Sequence, residues 1–167
     1  MPDGWSRPLD AEQLADRRSD IEFSIPLPAL PRIAPLLARP EGSARGKASF
    51  AREQSLAVVD LTVEAELSLV CQRCMQPMSW PVVGRAHIAL VGDADAADAV
   101  ASEFETVIAP GGRVTVGELV EEELLLALPV VALHARADAC GVQLDAEPDK
   151  EVQKPFAGLA DLLKRGP

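Results

Sequence analysis

The sequence contains no tyrosine, and aromatic residues make up only 4% of its 167 positions. Apolar residues still reach 48%, so the core is expected to be aliphatic. No apolar run approaches the roughly 20 residues that a membrane-spanning helix needs, and the first twenty residues lack the apolar stretch of a secretion signal. Three cysteines are an odd number, which fits poorly with a disulfide framework. We therefore expect a soluble cytoplasmic protein with reduced thiols and no membrane partner.

Motifs of the common enzyme classes are also absent from the sequence. It has no glycine-rich phosphate-binding loop and no HExxH motif, and neither histidine has a serine or aspartate partner at a recognisable spacing. Its acidic residues resemble a solvated helix face and a loop more than a pair of catalytic carboxylates. The sequence thus predicts no catalytic residues and a non-enzymatic protein.

The negative charge is concentrated in one part of the chain. The formal net charge is −10. Residues 92–151 contain 14 acidic and three basic residues, a net charge of −11, whereas the rest of the chain is nearly neutral. Acidic surfaces repel nucleic acid and attract basic proteins, although they also serve as a simple solubility device. Taken alone, the acidic charge is best explained by solubility. Because the basic residues form no RNA-binding stripe, a basic protein partner is favoured over direct RNA contact, which stays open as an alternative.

Alternation of apolar and polar residues gives the clearest structural signal. Every second residue of "VDLTVEAELSLVC", residues 59–71, is apolar, which is typical of a long half-buried strand. A weaker alternation follows in residues 80–91, where Gly84 is expected to mark a bulge or bend. We expect an antiparallel β meander with long central strands and the Cys-x-x-Cys motif in the loop between two of them. Shorter strands are predicted around residues 21–25, 44–52 and 104–109.

One amphipathic helix is predicted after these strands. Thr115 and Glu118 have the spacing of a capping box, and apolar residues recur at helical spacing as far as Leu128, which precedes a proline. The predicted fold class is therefore α+β. The acidic residues expected on the solvated face of this helix are Glu118, Glu121 and Glu122.

The chain is expected to divide into three parts. Residues 1–20 form a polar segment with a short helix, residues 21–133 form the α+β domain with an acidic loop at 92–103, and residues 134–167 form a mostly irregular tail. An apolar segment at 155–165 is too short to be helical alone in water, so it docks on this protein, docks on a partner, or remains disordered. The residues predicted to contact a basic partner are Glu118, Glu121, Glu122, Phe156, Leu159 and Leu163.

The Cys-x-x-Cys motif, formed by Cys71 and Cys74, offers two thiolates at the spacing of a tetrahedral zinc site. His134 and Cys140 follow the predicted helix and complete a set of four ligands, while His87 is a further available ligand. Two alternatives remain open: Cys71 simply packs at the end of its strand, or the two cysteines are a redox pair. A redox pair of the thioredoxin type opens a helix, whereas strands flank this motif, so a redox role and a zinc- or thiol-dependent enzyme are less well supported.

The order of these features resembles that of a known family. "LVCQRC" at the end of a long strand, the helical "VEEELLLALPVV" and the terminal "KPFAGLADLL" occur as in the YceD-type family, the large ribosomal RNA subunit accumulation proteins. The resemblance covers roughly residues 20–165. It implies a non-enzymatic cytosolic factor, of bacterial or plastid type, that is needed for normal accumulation of large-subunit ribosomal RNA. Two interpretations of this role remain: a factor that contacts a basic ribosomal protein or a large-subunit assembly factor, which the charge favours, and a direct RNA-binding protein. Some branches of the family carry additional cysteines, which implies a metal-binding ancestry and zinc as the candidate cofactor.

Overall fold

The computed structural model describes residues 4–100, 102, 104–136 and 138–141, and it confirms an α+β fold. The β-strands among these residues are β1 (Leu9–Asp10), β2 (Asp20–Pro26), β3 (Ser43–Glu53), β4 (Leu56–Val70), β5 (Pro77–Val91), β6 (Glu105–Ile108) and β7 (Arg113–Val114). The α-helices are α1 (Ala11–Asp16), α2 (Ala94–Asp98) and α3 (Val116–Leu126). None of the described helices has the length and apolar character needed to span a bilayer.

Five strands form the main sheet in the order β2-β3-β4-β5-β6. The first four pair antiparallel with their neighbours, which confirms the predicted meander and its long central strands. β6 instead lies parallel to β5, with Ile88 opposite Glu105, and α2 lies in the connection between these two strands. The predicted bulge at Gly84 is wrong. The pairing of β4 with β5 runs without interruption through Val63 and Gly84.

The main core lies on one face of this sheet. The alternating apolar residues of β4 are buried there, as the pattern predicts, and α3 packs against β4 and β5. Burying one aliphatic side chain contributes about 1.5–3 kcal/mol, so this interface supplies much of the stability of the fold. The largest fully buried side chains are Ile25, Leu27, Leu30, Ile33, Val58, Val59, Leu61, Val63, Leu67, Val116, Leu119 and Leu124.

The N-terminal residues belong to the same folded unit. β1 pairs with β7, and α1 packs against β3 and β4 with Ala11 and Ala15 buried. The helix begins after Asp10, whose carboxylate accepts a hydrogen bond from the Gln13 N–H at 3.0 Å. The guanidinium of Arg52 forms ion pairs with two carboxylates of this helix, those of Glu12 and Asp16.

A second, smaller hydrophobic cluster lies on the opposite face of the sheet and is formed by Val58, Ala89 and Phe104. His87 borders it: the imidazole stacks on the Phe104 ring with the ring centres 4.9 Å apart. Its Nδ1 lies 2.7 Å from a carboxylate oxygen of Asp60, and its Nε2 lies 3.5 Å from one of Glu53. The hydrogen bond to Asp60 raises the pKa of His87, and Glu53 adds to this effect.

We expect the stabilisation that His87 provides to be fully present below its unfolded pKa of about 6.5 and to be lost as the pH rises through its higher folded pKa. Because the groups are partly exposed, the effect should stay below about 1 kcal/mol. Urea unfolding of the wild-type protein and the His87→Gln variant at acidic and alkaline pH measures it. The free-energy difference between the two proteins should be larger at acidic pH, and an equal difference at both would contradict the assignment.

Candidate metal centre

The loop of residues 71–76, between β4 and β5, carries the Cys-x-x-Cys motif, as predicted. It is a tight turn in which the Met75 N–H donates to the Cys71 carbonyl at 2.8 Å, and the Cys71 N–H donates to the Gln76 carbonyl at 2.9 Å. Met75 adopts a left-handed backbone conformation with φ of 58°, which is uncommon for a residue other than glycine. Cys71 is buried and Cys74 is half-buried.

The segment that follows α3 is held against this loop and the start of β5 by three contacts. The Trp80 Nε1–H donates to the carbonyl of Ala127 at the end of the helix, at 3.1 Å. Further along, the Gln72 N–H donates to the Ala132 carbonyl at 2.8 Å. The Sγ of Cys74 then lies 3.5 Å from the Nδ1 of His134. These contacts place the first histidine after the helix beside the second cysteine of the motif.

The four predicted ligands form a group that could hold a metal ion. The ligand atoms of Cys71, Cys74, His134 and Cys140 all lie within 4.8 Å of one another. Three sulfur atoms and one imidazole nitrogen are a donor set that suits tetrahedral zinc. His87, the further histidine considered, does not belong to this group. It lies with Asp60 on the face of the sheet opposite α3, which we call the open face.

The first cysteine has the electrostatic environment of a metal ligand. Burial raises the pKa of the Cys71 thiol, but backbone N–H groups of His134, Cys74 and Arg73 lower it, and the net pKa is about 5. At neutral pH the side chain is therefore a thiolate, which is the form that binds zinc. The N–H groups that stabilise the thiolate come from the loop and from the segment after α3. The pKa of Cys71 is therefore lowered without a helix N-terminus.

Two of the acidic residues predicted for partner contact are exposed on α3. Glu118 forms the predicted capping box: its carboxylate accepts from the Thr115 N–H at 2.9 Å, and its own N–H donates to the Thr115 hydroxyl at 3.0 Å. Glu122 forms an ion pair with Arg32. Their role in binding a partner stays a prediction. The predicted contact residues Phe156, Leu159 and Leu163 lie outside the described residues.

The prediction that Glu121 is solvated is wrong. This side chain is only 5% exposed, and its Oε1 accepts hydrogen bonds from the backbone N–H groups of Arg32 at 2.6 Å and Ile33 at 3.1 Å. These two groups precede the 3-10 turn Ala34–Leu36. Glu121 thus connects α3 to the segment after β2 and is a structural residue rather than a surface contact.

Comparison with known proteins gives a family match and matches to individual proteins. The family model described as "Large ribosomal RNA subunit accumulation protein YceD" matches residues 59–163, more than half of the chain. The protein of the same name from Haemophilus influenzae is 30% identical over 120 residues, which cover 67% of this chain and 68% of that protein. No solved structure matches the chain. The matched range of the family begins in β4 and includes all four candidate metal ligands.

Proposed function

The chain belongs to the family of YceD large ribosomal RNA subunit accumulation proteins, and from this we propose that it is a non-enzymatic factor for the accumulation of large-subunit ribosomal RNA. It acts through contacts with proteins of the large subunit or its assembly factors, in the cytoplasm. The single observation that carries the proposal is the family match across most of β4, β5 and α3.

The chemistry of the metal group supports a structural rather than a catalytic role. Catalytic zinc sites keep one coordination position open for water or substrate, whereas structural sites are closed by four protein ligands. Here four side chains supply the full set, and two of them, Cys71 and Cys140, are buried. We infer that these four residues hold one zinc ion. Bound there, zinc would cross-link the cysteine loop to the chain that follows α3.

The distribution of charge supports protein contacts over direct RNA contact. On the open face of the sheet, Arg45 lies opposite Glu64, and Lys47 lies opposite Glu22 and pairs with Asp20 at 2.8 Å. Arg45 and Lys47 thus each have acidic neighbours, which weakens their attraction for phosphates. With a net charge of −10, the chain attracts basic proteins over the Debye length, which is about 8 Å at physiological ionic strength.

Deletion of the gene tests this function. We expect the amount of large-subunit RNA relative to small-subunit RNA to fall, because the factor needed for its accumulation is missing, and we expect a plasmid copy of the wild-type gene to restore the ratio. Quantification of the two RNAs over several growth temperatures measures the effect. An unchanged ratio under all these conditions would refute the proposed function.

A further inference from the structure

Two segments of the chain, one of which contains the cysteine loop, differ in charge from the rest of the sequence. Residues 67–82 and 124–134 contain no aspartate or glutamate and one basic residue, Arg73, in a chain with 26 acidic residues. We call these two segments the acid-free region. They are neighbours in space, because the contacts of Trp80 with Ala127 and of Gln72 with Ala132 join them.

Exposed apolar side chains are concentrated in the acid-free region. Large hydrophobic residues that are exposed singly need no explanation, but a contiguous group of them marks an interaction site. Five of the eight such residues among those the structure describes belong to this region, which is a small part of the chain. They include Val130 and Met75, which are 98% and 70% exposed. The complete set of five is Val70, Met75, Leu126, Val130 and Val131. The hydrogen bond from Gln72 to Ala132 brings the loop of Met75 beside Val130 and Val131, so these three residues are the centre of the proposed surface.

The composition of the acid-free region matches the centre of a protein–protein interface. Such centres are depleted in charged residues and enriched in methionine and arginine. Met75 and Arg73 occupy the exposed turn of the cysteine loop. An RNA-binding surface instead needs several basic side chains to neutralise phosphates, and this region offers one. The chemistry therefore favours a protein partner at this surface.

The charge of the remaining chain indicates what kind of protein docks here. The chain outside the acid-free region contains 26 acidic and 15 basic residues, a net charge of −11, so a basic protein is attracted to the molecule as a whole. The apolar surface then excludes water from the contact. We propose that the acid-free region is the docking surface for a basic protein of the large ribosomal subunit that presents apolar side chains. This inference rests on the proposed function and assigns its partner surface.

Single glutamate substitutions in the full-length protein test the docking surface. Met75→Glu and Val130→Glu place a charge within it, and Val83→Glu is the matched control, because Val83 is 76% exposed on the open face of β5 and receives the same added charge. The probes are proteins extracted from purified large ribosomal subunits and, separately, deproteinised large-subunit RNA. We expect the wild type to bind at least one basic protein, Val83→Glu to bind it equally, and the two other variants to bind it about tenfold more weakly or worse.

Two measurements decide the outcome. The docking surface is refuted if all three variants bind the basic protein equally, or if the wild type binds no basic subunit protein. It is also refuted if Met75→Glu and Val130→Glu lose only RNA binding. Each variant gene is also introduced into the deletion strain. If deletion lowers the RNA ratio and these two variants restore it like the wild type, the docking surface is refuted and the proposed function stands. If deletion leaves the ratio unchanged, the proposed function itself fails.

Discussion

Protein purified without chelator is expected to carry about one zinc ion per chain, and His134→Gln is expected to lose most of it. The reason is that His134 supplies the only nitrogen ligand, and its Nδ1 lies 3.5 Å from the Cys74 Sγ. Loss of a residue that merely orients a ligand costs about 10–100-fold in affinity, so loss of a ligand should cost more. Metal analysis by mass spectrometry after dialysis against zinc-free buffer measures the content.

The chain supplies a matched control, because it has only one other histidine. His87 lies on the open face of the sheet with Asp60, so His87→Gln should retain zinc like the wild type. Chelation of the wild-type protein should lower its thermal midpoint, and added zinc should restore it. If the wild type carries no zinc and all three thiols titrate freely, the cysteines only pack, as their burial alone would also allow.

Glu121→Lys is expected to destabilise the protein by at least about 3 kcal/mol, a large part of the roughly 5–15 kcal/mol by which a domain is stable. The substitution removes the acceptor of two backbone N–H groups, those of Arg32 and Ile33, each of which costs about 1–3 kcal/mol when left unpaired. It also buries a cation without a partner. Urea unfolding at neutral pH gives the free energies of unfolding to be compared.

The adjacent residue provides the control for this experiment. Glu122 is exposed, and its ion pair with Arg32 joins two exposed side chains, so Glu122→Lys should cost no more than about 1 kcal/mol. Glu121→Gln keeps an oxygen that can accept from both N–H groups, and its cost should fall between the two reversals. Similar mild effects of both lysine variants would show that the Glu121 carboxylate is not the buried acceptor described above.

The main sheet could be predicted from the sequence because its signal is local. The alternation in residues 59–71 depends only on which face of β4 is buried, and the buried face is the one predicted. The direction of β6 has no such signal. Its four residues would have the same pattern in a parallel or an antiparallel pair, so the parallel direction seen in the structure could not be predicted from them.

Glu121 shows how a correct helix prediction led to a wrong position. Gly117, Glu121 and Leu124 follow one another at helical spacing, and all three are buried, so the spacing alone would have placed Glu121 on the buried face. The prediction placed Glu121 in solvent because its side chain is charged, although its spacing indicates the buried face. The N–H groups that stabilise the buried carboxylate belong to Arg32 and Ile33. These residues precede Glu121 by 89 and 88 positions, so no local pattern indicates the contact.

The metal ligands could be predicted from their residue types, whereas their proximity in space could not. Cysteine and histidine are the residues that bind zinc, so the chain offered few candidates. The position of His134 beside the loop follows from hydrogen bonds between residues far apart in the sequence, those of Trp80 with Ala127 and of Gln72 with Ala132. The low pKa of Cys71 depends on N–H groups of the same folded arrangement, and the sequence offered no helix N-terminus from which to expect it.

The turn at the cysteines also governs the opposite end of the long hairpin. β4 and β5 pair without a break from Val70 and Pro77, next to the loop, to Ala57 and Leu90. A strand that slips by one residue turns its whole apolar stripe toward water, and in a hairpin the turn fixes the register. The cysteine loop is therefore the reference point from which every pair in the hairpin is counted. An extra residue inserted in the loop would shift the strand pairing as far as the other end of the hairpin, roughly 45 Å away.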